Sequence, residues 1–80
     1  MSRRDGAFIR AQRLHMIAQK VAQAFPAGAD YEKTLDWIEF NIGLSRARAK
    51  EYLDKVIRVH GWTVKNGVIK PAEEEAAGEA

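Results

Sequence analysis

Eighty residues, 46% of them apolar, make one small domain, and the absence of cysteine excludes a disulfide framework or a thiolate metal site. No apolar run approaches a membrane span and the N-terminus lacks a signal-peptide core, so a soluble cytoplasmic protein is expected. The net charge of +2 is uneven: Glu73, Glu74, Glu75 and Glu79 have no base among residues 71–80, which leaves residues 1–70 with 13 basic and 7 acidic side chains, or +6. Such a body suits a polyanion partner, and an ordinary domain with a solubilising tail is the competing explanation.

Residues 1–6, with Arg3 and Arg4, are expected to be a flexible basic arm able to reach along DNA. From Ala7 to Phe25 the pattern is helical, and Ala11, Leu14, Ala18, Val21 and Phe25 share one stripe at steps of three and four. Phe8, Ile9 and Met16 fall off that stripe, which suggests a homodimer or partner surface on the first helix. Their alternatives are folding back on the body or lone surface exposure.

Pro26 and Gly28 break the helix, and Asp30 is an N-cap for a second one, Tyr31 to Ile42. Its core stripe is Tyr31, Leu35, Ile38 and Ile42. Trp37 and Phe40 lie to the side and outward, and in so small a protein they are expected to join the core.

A short turn, Gly43-Leu44-Ser45, leads to a third helix capped by the Ser45 hydroxyl and stopped by Gly61. Ala49, Leu53, Val56 and His60 form its inner stripe. Two short runs of β-formers follow, WTVK and VIK, joined by Asn66-Gly67. That is a strong signal for a two-residue hairpin pairing Lys65 with Val68, Val64 with Ile69 and Thr63 with Lys70. Val64 and Ile69 should close the core, with Thr63, Lys65 and Lys70 outside. Pro71 ends the hairpin, and residues 71–80 are expected to be a disordered acidic tail.

The order of turn, amphipathic helix, glycine and hairpin resembles the second half of a winged helix-turn-helix domain, and especially its small archaeal members. The run from Gly43 to Ala49, then Tyr52-Leu53, is similar to that family's turn and recognition helix, with Trp62 to Lys70 as the wing. The fold class this implies over residues 7–70 is α+β, mostly α: three helices and a two-stranded wing. It also implies double-stranded DNA as partner, met by the N-terminal end of the third helix and by the wing. The site so defined is Ser45, Arg46, Arg48, Lys50, Arg58, Lys65, Asn66 and Lys70, assisted by Arg3 and Arg4.

One feature complicates this picture. Advancing 100° per residue from the core direction, the outermost arc of the third helix is Ala47, Glu51, Asp54 and Arg58, and two of these are acidic. Either the helix enters DNA tip-first, or a carboxylate reads a cytosine amino group, or the helix meets protein. A protein-interaction subunit of a replication, transcription or repair complex is therefore the alternative function. His15 and His60 have no metal-ligand spacing and Ser45 has no neighbouring base, so an enzyme is not expected. No cofactor or small-molecule ligand is expected either.

Overall fold

The computed structural model describes the backbone of residues 2–72 and side chains from Gly6 onward. The helices are α1 (Ser2–Ala22), α2 (Tyr31–Asn41) and α3 (Arg46–His60). The strands are β1 (Ala29–Asp30), β2 (Thr63–Lys65) and β3 (Val68–Lys70), in the antiparallel order β1-β3-β2. This is the predicted α+β arrangement of three helices and a hairpin wing, with one strand more than expected.

Residues 2–6 are not a separate arm, because α1 begins at Ser2. Residues 2–7 contain no proline or β-branched residue to stop a helix, although they lack the apolar spacing that marks one. The side chains of Arg3 and Arg4 lie outside the described residues. At its other end α1 stops at Ala22, three residues before Phe25. Bonds from Ala24 N–H to Val21 C=O and from Phe25 N–H to Ala22 C=O, both 3.0 Å, tighten the chain there. Pro26 explains the early stop, since the residue before a proline is pushed out of the helical region.

Asp30 caps α2 by accepting the Lys33 N–H at 2.9 Å. Ser45 caps α3 by accepting the Arg48 N–H at 3.2 Å. Gly61 closes α3 in the left-handed conformation, φ 72°. The wing has the predicted register, Thr63↔Lys70, Val64↔Ile69 and Lys65↔Val68. Its turn places Asn66 at φ 52° and Gly67 at φ 75°, as a type I′ hairpin requires.

β1 is the unpredicted strand. Ala29 pairs with Ile69 and Asp30 with Val68, making β3 the central strand. Gly28 permits this approach: its φ is 117°, and a Cβ there would stand 2.5 Å from Val68 Cγ1.

The core lies where the three helices meet the inner face of the sheet. Ile17, Val21, Ile38, Ala49, Leu53 and Ile69 are fully buried there. Leu35, Tyr52 and Val56 join them, and Leu14, Trp37, Ile57 and Trp62 pack at the edges. Five expectations about burial need correction. Ala11, on the stripe of α1 expected to face the core, is exposed. Val64 stays 41% exposed although it sits opposite buried Ile69, because it lies on an edge strand. Phe40 is 88% exposed, diametrically opposite the buried side of α2. His60 is exposed rather than in the core; its ring stacks on Trp62 at 4.5 Å, and its Nδ1 donates to the Val56 carbonyl at 3.0 Å. Pro71 and Ala72, assigned to the tail, are half-buried, whereas residues 73–80 lie outside the described residues.

Candidate nucleic-acid interface

The first turn of α3 does not present all its cations outward. Arg46 turns back onto α2: Nη1 lies 3.0 Å from Asp36 Oδ1 and 2.9 Å from Glu39 Oε2, and Nη2 lies 3.3 Å from Glu32 Oε1. Those carboxylates stand at i, i+4 and i+7, one face of α2. Arg46 was expected to meet DNA, but here it braces α2 against the start of α3. The acidic stripe is legible in the sequence as a face that needs a cation opposite. Ser45 is likewise occupied as a cap.

The remaining cations of α3 divide between two flanks. Toward α1, Arg48 Nε lies 3.7 Å from Glu51 Oε1, a loose exposed pair of little energetic weight. Arg48 and Arg13 also stand beside the Tyr52 hydroxyl. Burial raises that phenol's pKa, but hydrogen bonds and positive charge from the two guanidiniums outweigh burial and hold it below the ordinary tyrosine value. Arg10 and Lys55 complete this flank, where they border a depression between the helices.

Toward α2, Lys50 Nζ lies 5.7 Å from the centre of the Tyr31 ring. The Tyr31 hydroxyl donates to Asp54 Oδ1, and its backbone N–H donates to the Gly67 carbonyl at 2.8 Å. Tyr31 thus ties the wing tip, the start of α2 and the middle of α3 together. Asn66 and Gly67 are brought to the side of the body that carries Lys50 and Asp54. Lys65 and Lys70 share a shallow outer surface of the wing with Thr63 and Val68, about 270 Å³ in volume. Arg58 is exposed on the outer arc.

The two acidic residues of that arc are each engaged, Asp54 by the Tyr31 hydroxyl and Glu51 by Arg48. Lys50, Lys55, Arg58, Lys65 and Lys70 have no carboxylate within ion-pair distance among the described residues. The structure therefore brings Lys50 and the wing tip at Gly67 to Tyr31, sets Arg48 on the opposite flank, and leaves Ser45 and Arg46 exposed but engaged, one as a helix cap and the other in ion pairs with α2.

The proposed partner surface of α1 is exposed: Phe8 by 64%, and Ile9 and Met16 by 43% each. A 21-residue helix is about 31 Å long, so α1 lies along the 49 Å dimension of a body otherwise 23 by 18 Å. Val59, 68% exposed, and Phe40 are further apolar surface that the stripe patterns did not single out as exposed. Among the described residues no helix is long and apolar enough to cross a membrane, and no three side chains are grouped to hold a metal ion.

No protein-family model matches the chain, and no curated protein or solved structure matches it.

Proposed function

We propose that this chain is a DNA-binding protein of the winged helix-turn-helix type, a transcriptional regulator or a small chromatin-like protein. On this proposal it works in the cytoplasm on double-stranded DNA, without catalysis, a cofactor or a small-molecule ligand. The observation that carries the proposal is the state of the outer face of α3 and the wing. Asp54 accepts a hydrogen bond from the Tyr31 hydroxyl and Glu51 lies loosely against Arg48, while Lys50, Arg58, Lys65 and Lys70 are exposed with no carboxylate partner among the described residues. The outer arc is then less hostile to phosphate than its composition suggests. Lys50 lies on α3 and Lys65 on the wing, and the element order and the three-stranded sheet support the family assignment.

The test is the affinity for mixed-sequence duplex DNA, read by fluorescence anisotropy across a salt series. Affinity should fall steeply with salt, by roughly tenfold or more between about 50 and about 200 mM. The triple variant K50E/R58E/K65E should lose binding. R46A, still folded, should keep affinity within roughly twofold, because its guanidinium makes no phosphate contact on this proposal. No binding by the unaltered protein at low salt overturns the proposal.

That outcome would favour the second function, a protein-interaction subunit. Its support is the apolar surface of Phe8, Ile9, Met16, Phe40 and Val59, more than a small monomer needs to expose. A homodimer through α1 is one form of it, and sedimentation as a monomer at high concentration would remove that form.

A further inference from the structure

The flank between α1 and α3 carries a second feature that the DNA-binding face does not use. Two shallow depressions, about 140 and 160 Å³, share Leu14 and Lys55 and so form one trough along the seam of the two helices. Its floor is apolar, formed by Leu14, Ala18, Val56 and Val59. Its rim is basic, with Arg10, Arg48 and Lys55 against a single acid, Glu51. His15 and His60 border the end nearest the sheet.

We propose that this trough is the docking site for residues 73–80 of the same chain. Three observations select that occupant. First, the chain leaves the sheet at the trough's end. Lys70 pairs with Thr63, and the neighbouring Trp62 stacks on His60, whose ring borders the trough. Pro71 and Ala72 are half-buried, which holds the exit point against the body. Second, the charges are complementary. Residues 73–80 carry Glu73, Glu74, Glu75 and Glu79 and no base, with alanines between to meet an apolar floor. Third, the span is sufficient. From His60 back to Arg48 α3 rises about 18 Å, and eight residues reach about 27 Å when extended.

Tethering makes the encounter intramolecular, at an effective concentration on the order of millimolar, so weak contacts suffice. Glutamates meeting the arginine and lysine rim supply the attraction, and the alanines cover the floor. A bound segment covers Arg48 and Lys55, neither of which is among the cations of α3 and the wing on which the DNA-binding proposal rests. The docking itself does not depend on that function.

The experiment exploits the absence of cysteine. The full chain with the substitution Ala76→Cys is labelled with a nitroxide, and paramagnetic broadening of backbone amides is read by NMR without DNA. At low salt, signals from Leu14, Ala18, Lys55 and Val59 should be lost, while those of Phe40 and Lys33 persist. The same label in an E73Q/E74Q/E75Q background should restore the lost signals. So should high salt in the original background, since screening shortens to about 3 Å at 1 M. Broadening confined to the surroundings of Pro71 overturns the proposal, and so does broadening that is unchanged in the glutamine background. Either failure leaves DNA binding to stand or fall on its own salt series.

Discussion

The hydroxyl of Tyr31 donates to Asp54 across 2.5 Å, joining the first residue of α2 to the middle of α3. The same residue's backbone holds the wing tip at Gly67. One side chain and its own amide thus fix the relative placement of the three elements that make up the candidate interface. The bond also occupies a carboxylate that would otherwise face outward.

Replacing Tyr31 by Phe should cost about 1 kcal/mol, the loss of a half-exposed hydrogen bond to a charged acceptor. Phosphate binding should weaken with it as Asp54 is released. Chemical denaturation and the duplex titration read the two effects separately.

The two tyrosines should titrate in opposite senses. For Tyr31, burial first, then the hydrogen bond to Asp54 and the charges of Asp54 and Glu32, raise the phenol above its ordinary value. Above about pH 10 the unfolded chain loses that proton while the folded chain keeps it, so this residue's stabilising contribution falls as pH rises. Tyr52 is held below the ordinary value. Just below about pH 10 the folded chain therefore releases its proton first, and stability rises with pH. Phenolate absorbance should show an early step that Y52F removes and a late one that Y31F removes. A single step for both would refute the assignment.

Ile69 and Val64 face each other in the ladder but should respond differently. Ile69→Ala should destabilise by about 3 kcal/mol through the cavity it leaves. Val64→Ala, on the exposed edge strand, should cost less than about 1 kcal/mol. Equal losses would mean that β3 is not the central strand.

Gly28→Ala should cost about 2–3 kcal/mol, because the backbone conformation is strained for alanine and the added methyl meets Val68. Gly61→Ala has open space around it and should cost only about 1 kcal/mol, from the left-handed cap alone. Thermal denaturation of the two variants side by side gives the order.

Arg46→Ala should destabilise by leaving Glu32, Asp36 and Glu39 to repel one another, with a smaller loss in high salt. Adding D36N and E39Q to R46A should recover stability. Ser45→Ala should cost about 1 kcal/mol as a lost cap. If R46A unfolds no more readily than the unaltered chain at low salt, the brace is not energetically significant.

Much of the fold is written in local chemistry. Asp30, Ser45 and Gly61 mark helix ends because capping depends on the residue itself and its immediate neighbours. Asn66-Gly67 sets the wing register because only such a pair takes two consecutive left-handed conformations cheaply. The stripe of Ala49, Leu53 and Val56 points inward because a helix repeats every 3.6 residues. The two-residue strand β1 carries no periodicity, and it exists only because β3 lies beside it. The start of α1 at Ser2 is illegible for a related reason, since a helix end without an apolar face leaves no pattern.

The side chains of the candidate interface were less legible than its elements. Arg46, Lys50 and Arg48 are near neighbours in sequence, yet one is clasped by α2, one lies near the face of Tyr31 and one borders α1. The sequence by itself determined a small domain with a basic body, through its length and charge, and three helices and a hairpin, through local pattern. Tertiary structure alone decided which charges remain available, because an ion pair or a phenol–carboxylate bond depends on distances of about 3 Å between residues far apart in the chain. No local pattern encodes such a distance; it arises only when the helices pack.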